Sequence, residues 1–189
     1  MTKRKRARAA PLLAILAICA ALCCVGALGY RLFQRQTHPI KYEEYVERYS
    51  QEFGVDKFFV YAVIKTESGF RPEARSNVGA RGLMQIMEQT FDWLKFKQGD
   101  EQAVYYDMYD PETNIRYGCY LLGYLVDEFG SEETAAAAYH AGRGQVNEWL
   151  ADSSISADGV HLDTIPIRDT AHYVNKVEKA KAVYLSLYG

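Results

Sequence analysis

The chain has 189 residues, enough for a single domain with one substantial core. Apolar residues make up 49% and charged residues 24%, a globular balance that excludes a disordered chain. The formal net charge is −2, and leaving out the five positive residues before Ala9 gives −7 for residues 9–189, which argues against nucleic acid as a partner and leaves a neutral or mixed-charge polymer open.

Residues 1–8 contain the basic run "TKRKRAR", and residues 9–30 follow with "AAPLLAILAICAALCCVGALGY", which carries no charge. An uncharged run of about 22 residues is long enough to cross a bilayer as a helix. The basic flank predicts a cytoplasmic amino terminus and an extracytoplasmic remainder. A cleaved signal peptide ending near Val25, Gly26 and Ala27 is the competing reading. The apolar run is longer than a signal h-region, which favours an uncleaved anchor. Residues 31–40, "RLFQRQTHPI", read as a short linker.

From residue 41 to 189 the pattern is helical almost throughout. Tyr42, Tyr45, Val46, Tyr49 and Phe53 share one helix face. "DKFFVYAVIKTES" follows, with Asp56 as N-cap and apolar side chains nearly all round, as in a central buried helix. A further helix begins at Pro111, with Ile115, Cys119, Leu122, Val126 and Phe129 at spacings of three and four. Ser131 caps "SEETAAAAYHAG", "GQVNEWLAD" forms a short helix, and Tyr173, Val177, Ala180, Tyr184 and Leu187 mark the last. Residues 151–168 form the longest loop, broken by Gly159 and Pro166. No segment reads as a sheet. The prediction is an all-α domain behind an N-terminal transmembrane helix.

Three of the four cysteines lie in the apolar segment, which leaves Cys119 alone on a helical stripe as a buried structural thiol. No Cys/His cluster has metal-ligand spacing, so no metal site is expected.

The stretch "VIKTESGFRPEARSNVGARGLMQIM" places Glu67 three and four residues after Ile64 and Val63, on their face and at a helix carboxyl end. Desolvation and the helix dipole both disfavour its ionised form. The raised pKa suits a general acid near neutral pH; an exposed Glu at a frayed helix end is the bland alternative. Gly69, Gly79 and Gly82 shape the loop that follows. Gln85, set among Leu83, Met84, Ile86 and Met87, either ties the loop backbone together or faces a cleft.

"ESGFRPEARSNVGARGLMQIM", "DPETNIRYGCYLL", "AAAAYHAGRGQVNEWL" and "IPIRDTAHYVNKV" come in an order that resembles the lytic transglycosylases of the soluble-lytic-transglycosylase (SLT) type, over roughly residues 42–188. The resemblance implies a lysozyme-like, goose-type helical fold. It further implies cleavage of the β-1,4 bond between N-acetylmuramic acid and N-acetylglucosamine in peptidoglycan glycan strands, with no cofactor. Glu67 would then be the catalytic acid/base, with Ser76, Gln85, Met87, Tyr139, His140 and Tyr173 along the substrate cleft. The chain departs from the family pattern at three positions: His140 stands where Asn is usual, Asp169 where Glu is usual, and Glu88 where Pro is usual.

Most glycosidases use two carboxyl groups. A transglycosylase of this type uses one, since the muramic C6 hydroxyl replaces water. The competing functions are a muramidase on the same fold, for which Glu73 or Glu88 would supply the second carboxylate, and a non-catalytic peptidoglycan-binding scaffold.

Overall fold

A computed structural model of the chain describes residues 3–189, with side chains from Leu16 onward. The chain divides into two units, residues 1–39 and residues 40–189. In the first, the described backbone is one helix, α1 (Lys3–Thr37). It includes a span, Leu16–Thr37, long and apolar enough to cross a membrane. Residues 31–37 continue this helix. The run "RLFQRQT" holds mostly good helix formers and no breaker before Pro39, so nothing local ends it sooner.

The second unit is built from α2 (Glu43–Glu52), α3 (Lys57–Glu67), α4 (Glu88–Gln98), a 3₁₀ turn (Tyr105–Tyr109), α5 (Pro111–Phe129), α6 (Glu132–Ala141), α7 (Arg143–Ala151) and α8 (Arg168–Tyr188). No strand occurs among the described residues; two isolated bridges, Arg75 to Arg81 and Arg81 to Ile86, are the only β pairing there. Neither α4 nor the 3₁₀ turn shows the three-four apolar stripe in the sequence, and each keeps only one or two side chains buried.

Local chemistry explains where the helices start. The Asp56 carboxylate accepts from the backbone N–H groups of Phe58 (2.7 Å) and Phe59 (3.1 Å). Asp110 accepts from Thr113 N–H at 2.8 Å, with Pro111 in the first turn where no N–H is needed. Ser131 accepts from Thr134 N–H. Such caps contribute about 1 kcal/mol each.

Helix α3 is the central element. Seven consecutive residues, Phe58 to Ile64, are buried, so every face of the helix is covered. It packs along α8 and against α2, while α5 packs on α2, α4 and α6. Burial of a Phe, Val or Ile side chain stabilises by about 1.5–3 kcal/mol, so this helix ties the surrounding helices into one core. Cys119 is fully buried on α5, and burial pushes its thiol far above the ordinary range, as expected of a structural thiol.

Candidate active site

Glu67 is the last residue of α3, where the buried helix meets the loop that returns toward α5. The chain turns sharply after it. Gly69 takes φ +60° and its N–H donates to Lys65 C=O, and Phe70 follows at φ +65° with its ring buried. Arg71 Nε donates to Ser68 C=O at 2.9 Å, which fixes the turn from the other side. The carboxylate is thereby held against the core rather than released to solvent.

Residues 74–86 form a compact loop held both by its own side chains and by others outside it. Asn114 of α5 is completely buried; its carbonyl accepts from Met84 N–H at 2.8 Å, and its amide donates to Met108 C=O (2.9 Å) and Arg81 C=O (3.1 Å). Gly82 lies directly on this amide at φ +80°, and a Cβ there would collide with Asn114 and with the Met108 carbonyl. The Tyr105 hydroxyl lies 2.7 Å from Gly79 C=O and 3.0 Å from Ile86 C=O. The Arg81 guanidinium stacks 4.0 Å over the Tyr105 ring.

The structure separates the sequence-predicted residues into two groups. Tyr139 and Tyr173 gather around Glu67. The Tyr139 hydroxyl donates to Met84 C=O at 2.6 Å, and the charge of Glu67 reaches its ring. The buried Tyr173 hydroxyl faces the Glu67 carboxyl as a donor without closing a short, well-directed bond to any described residue. His140, at the end of α6, packs against Tyr173 with ring centroids 4.6 Å apart and planes tilted by 31°. Its Nδ1 lies 3.1 Å from Thr170 Oγ1, and Asp169 is the charged group that acts on it. Two departures from the family pattern thus meet across the junction of α6 and α8.

Ser76, Gln85 and Met87 belong to the loop group. Ser76 Oγ accepts from Ala80 N–H at 3.0 Å and closes the tight turn at Gly79. Gln85, at φ +50°, donates its amide to Gly82 C=O (2.8 Å) and Ala74 C=O (3.1 Å), so its N–H groups tie the loop together. Met87 is 40% exposed at the N-terminus of α4 and is not core.

Burial raises the Glu67 pKa to about 7, partly offset by the Tyr173 hydroxyl. A carboxyl held there carries its proton over much of the neutral range and can release it without a large penalty. No second carboxylate is among the groups that shift it. Glu73 and Glu88 are both exposed, the first beside Pro72 and the second in the first turn of α4.

A groove of about 290 Å³ starts at Tyr139 and runs between α4, α5 and the start of α7, past Gln89, Thr90, Trp93, Tyr124 and Arg143. Trp93 and Tyr124 meet edge to face at 5.0 Å, and Arg143 is locked to Glu128 at 2.6 Å. Half-exposed aromatic rings beside amide and hydroxyl groups suit the alternating apolar and polar faces of a sugar ring. Sequence reading missed Trp93 and Tyr124 because isolated aromatics on helices carry no signal separating a groove wall from core.

An all-helical, lysozyme-like fold that carries a half-buried, desolvated glutamic acid at the end of its central helix defines the class to which this molecule belongs. The Transglycosylase SLT domain family matches residues 44–160, and the chain belongs to that family. It is 34% identical over 154 residues to the soluble lytic murein transglycosylase of Salmonella typhimurium, covering 80% of this chain and 24% of that protein. It is 35% identical over 118 residues to the membrane-bound lytic murein transglycosylase C of Sodalis glossinidius, covering 56% of this chain and 32% of that one. An inactive mutant of the lytic transglycosylase Slt from Pseudomonas aeruginosa superposes with a TM-score of 0.70 at 32% identity, over 79% of this chain and 25% of that chain. The chain therefore spans about a quarter of the length of the first curated relatives it matches.

Proposed function

We propose that this chain is a peptidoglycan lytic transglycosylase in which Glu67 serves first as acid and then as base. The observation that carries the reading is the place of the Glu67 carboxyl: at the end of the buried helix α3, half-buried and flanked by Tyr139 and Tyr173, with desolvation raising its pKa to about 7 and no other carboxylate acting on it. Membership of the SLT family and the names of the murein transglycosylase relatives support the substrate class. The inactive glutamate-to-glutamine mutant of the Pseudomonas protein supports dependence on a carboxyl group.

Protonated Glu67 gives its proton to the β-1,4 glycosidic oxygen, and the bond from that oxygen to muramic C1 breaks. The N-acetyl oxygen of the same sugar stabilises the electron-poor C1. The C6 hydroxyl then attacks C1 and gives its proton to the Glu67 carboxylate, closing a 1,6-anhydro ring and restoring the acid. The Tyr173 hydroxyl stabilises the carboxylate between the two steps. Tyr139 keeps Met84 and the glycan-facing loop in register with Glu67. Ser76, Gln85 and Met87 border the bound strand, and the groove past Trp93 and Tyr124 extends that surface.

Helix α1 anchors the domain in the membrane, with the basic residues 3–8 on the cytoplasmic side and residues 41–189 facing the wall. The apolar span Leu16–Thr37 and the membrane-bound relative support this placement. Cysteine substitution at Tyr30 and at Lys41, followed by an impermeant thiol reagent on intact cells, tests it; labelling of neither position places the domain inside.

Mass spectrometry of digested peptidoglycan tests the chemistry. Anhydromuramic ends support the lytic reaction. Reducing ends mean that water attacks, which makes the chain a muramidase.

A further inference from the structure

His140 carries a role that contact with substrate does not describe. Its ring lies against one face of Tyr173, whose hydroxyl is buried and faces Glu67. Thr170, itself buried in the first turn of α8, holds the ring through Nδ1. We propose that His140 is a positioning residue: it covers and orients the Tyr173 ring, and through it sets the hydroxyl that faces the Glu67 carboxyl.

The surroundings of the ring are specific. From α8 it faces Thr170, Tyr173 and the Asp169 carboxylate; on its own helix it adjoins Tyr139; behind Tyr173, at the end of α3, lies Glu67. On the α5 and α7 side, Glu128 and Arg143 are bonded to each other. Burial lowers the imidazole pKa below its ordinary value, and Asp169 draws it partly back. Burial thus favours the neutral ring over a positive charge beside Tyr173. A cation at that position would strengthen the Tyr173 hydroxyl as a donor and favour the Glu67 carboxylate directly; both effects draw the Glu67 proton away. A neutral planar ring orients Tyr173 without that cost.

This role rests on Glu67 being the catalytic acid, and its test keeps the two claims apart. The 189-residue chain in detergent is labelled with ¹³C at Glu carboxyls, and Glu67 is assigned by its loss in Glu67→Gln. Its titration needs no substrate. A midpoint near 7 is expected in the wild type and in His140→Phe, and a midpoint lower by about one pH unit in His140→Arg, whose planar cation can still stack on Tyr173. Kinetics on purified peptidoglycan should show kcat about tenfold lower in His140→Ala with KM within twofold, and most of that loss recovered in His140→Phe. An unshifted midpoint in His140→Arg, or full kcat in His140→Ala, overturns the proposal. A raised KM at unchanged kcat assigns His140 to substrate contact and overturns it equally. A wild type that titrates near 7 but cleaves nothing refutes the enzymatic reading, while the shift in His140→Arg still decides the coupling.

Discussion

Replacing Glu67 by Gln keeps the shape of the side chain and removes its charge, so the variant reads the cost of the buried carboxylate as stability. In the unfolded chain the carboxyl titrates near its ordinary value of 4.5; in the fold it titrates near 7. Between those values the folded state holds a proton that the unfolded state has released, so stability falls as pH rises through this window. At about 1.4 kcal/mol per pH unit, the full distance amounts to about 3 kcal/mol. Glutamine cannot accept as strongly from Tyr173, which takes back part of the gain and leaves roughly 2–3 kcal/mol. The variant should therefore be more stable than the wild type at pH 8, by roughly 5–10 °C in melting temperature for a domain of this size. At pH 5 the advantage should shrink to below about 1 kcal/mol, because the folded wild type keeps its proton there and pH 5 lies only about half a unit above the unfolded value of 4.5, so little of the cost has accrued. Thermal unfolding followed by near-ultraviolet circular dichroism at the two pH values measures it. A variant no more stable at pH 8, or equally stabilised at both pH values, would refute the claim that Glu67 is buried against its charge.

Other substitutions probe the supports of the site. Tyr139→Phe removes the 2.6 Å bond to Met84 C=O; denaturant melts should show a loss of about 1–3 kcal/mol, and kcat should fall further than KM rises. Asn114→Ala removes the partner of Met84 N–H and the bond to Met108 C=O, while Arg81 C=O keeps its bond from Ile86 N–H; it should cost about 2–4 kcal/mol, together with faster proteolysis of the loop at residues 74–86. Trp93→Ala strips one wall of the groove and should raise KM for long glycan strands several-fold while leaving stability within about 1 kcal/mol, since Trp93 is only partly buried.

The all-α fold was legible because α2, α3, α5, α6 and α8 each bury a face at helical spacing and most begin on recognisable caps. Glu67 was legible only in part: its spacing from Val63 and Ile64 set it on their face, an exposed helix end stayed open on spacing alone, and the resemblance made it the candidate acid. Gln85 was ambiguous, because a polar residue among apolar neighbours reads alike whether it bonds backbone or ligand; the fold sets its amide on Ala74 and Gly82. Asn114 passed unnoticed, since nothing local marks an asparagine in a helix as the partner of a loop 30 residues earlier in the chain. The meeting of His140 with Tyr173 and Thr170 is a tertiary contact between α6 and α8, separated by the loop at residues 152–167, and no periodicity in either helix encodes it.

The measurement that bears most directly on the account is mass spectrometry of the products from purified peptidoglycan, with the 189-residue chain and its Glu67→Gln variant run side by side. The account predicts muropeptides with 1,6-anhydromuramic ends, each one water lighter than its reducing counterpart, and their disappearance in the variant. Reducing ends from the wild type, or anhydro ends that persist without the Glu67 carboxyl, would contradict it.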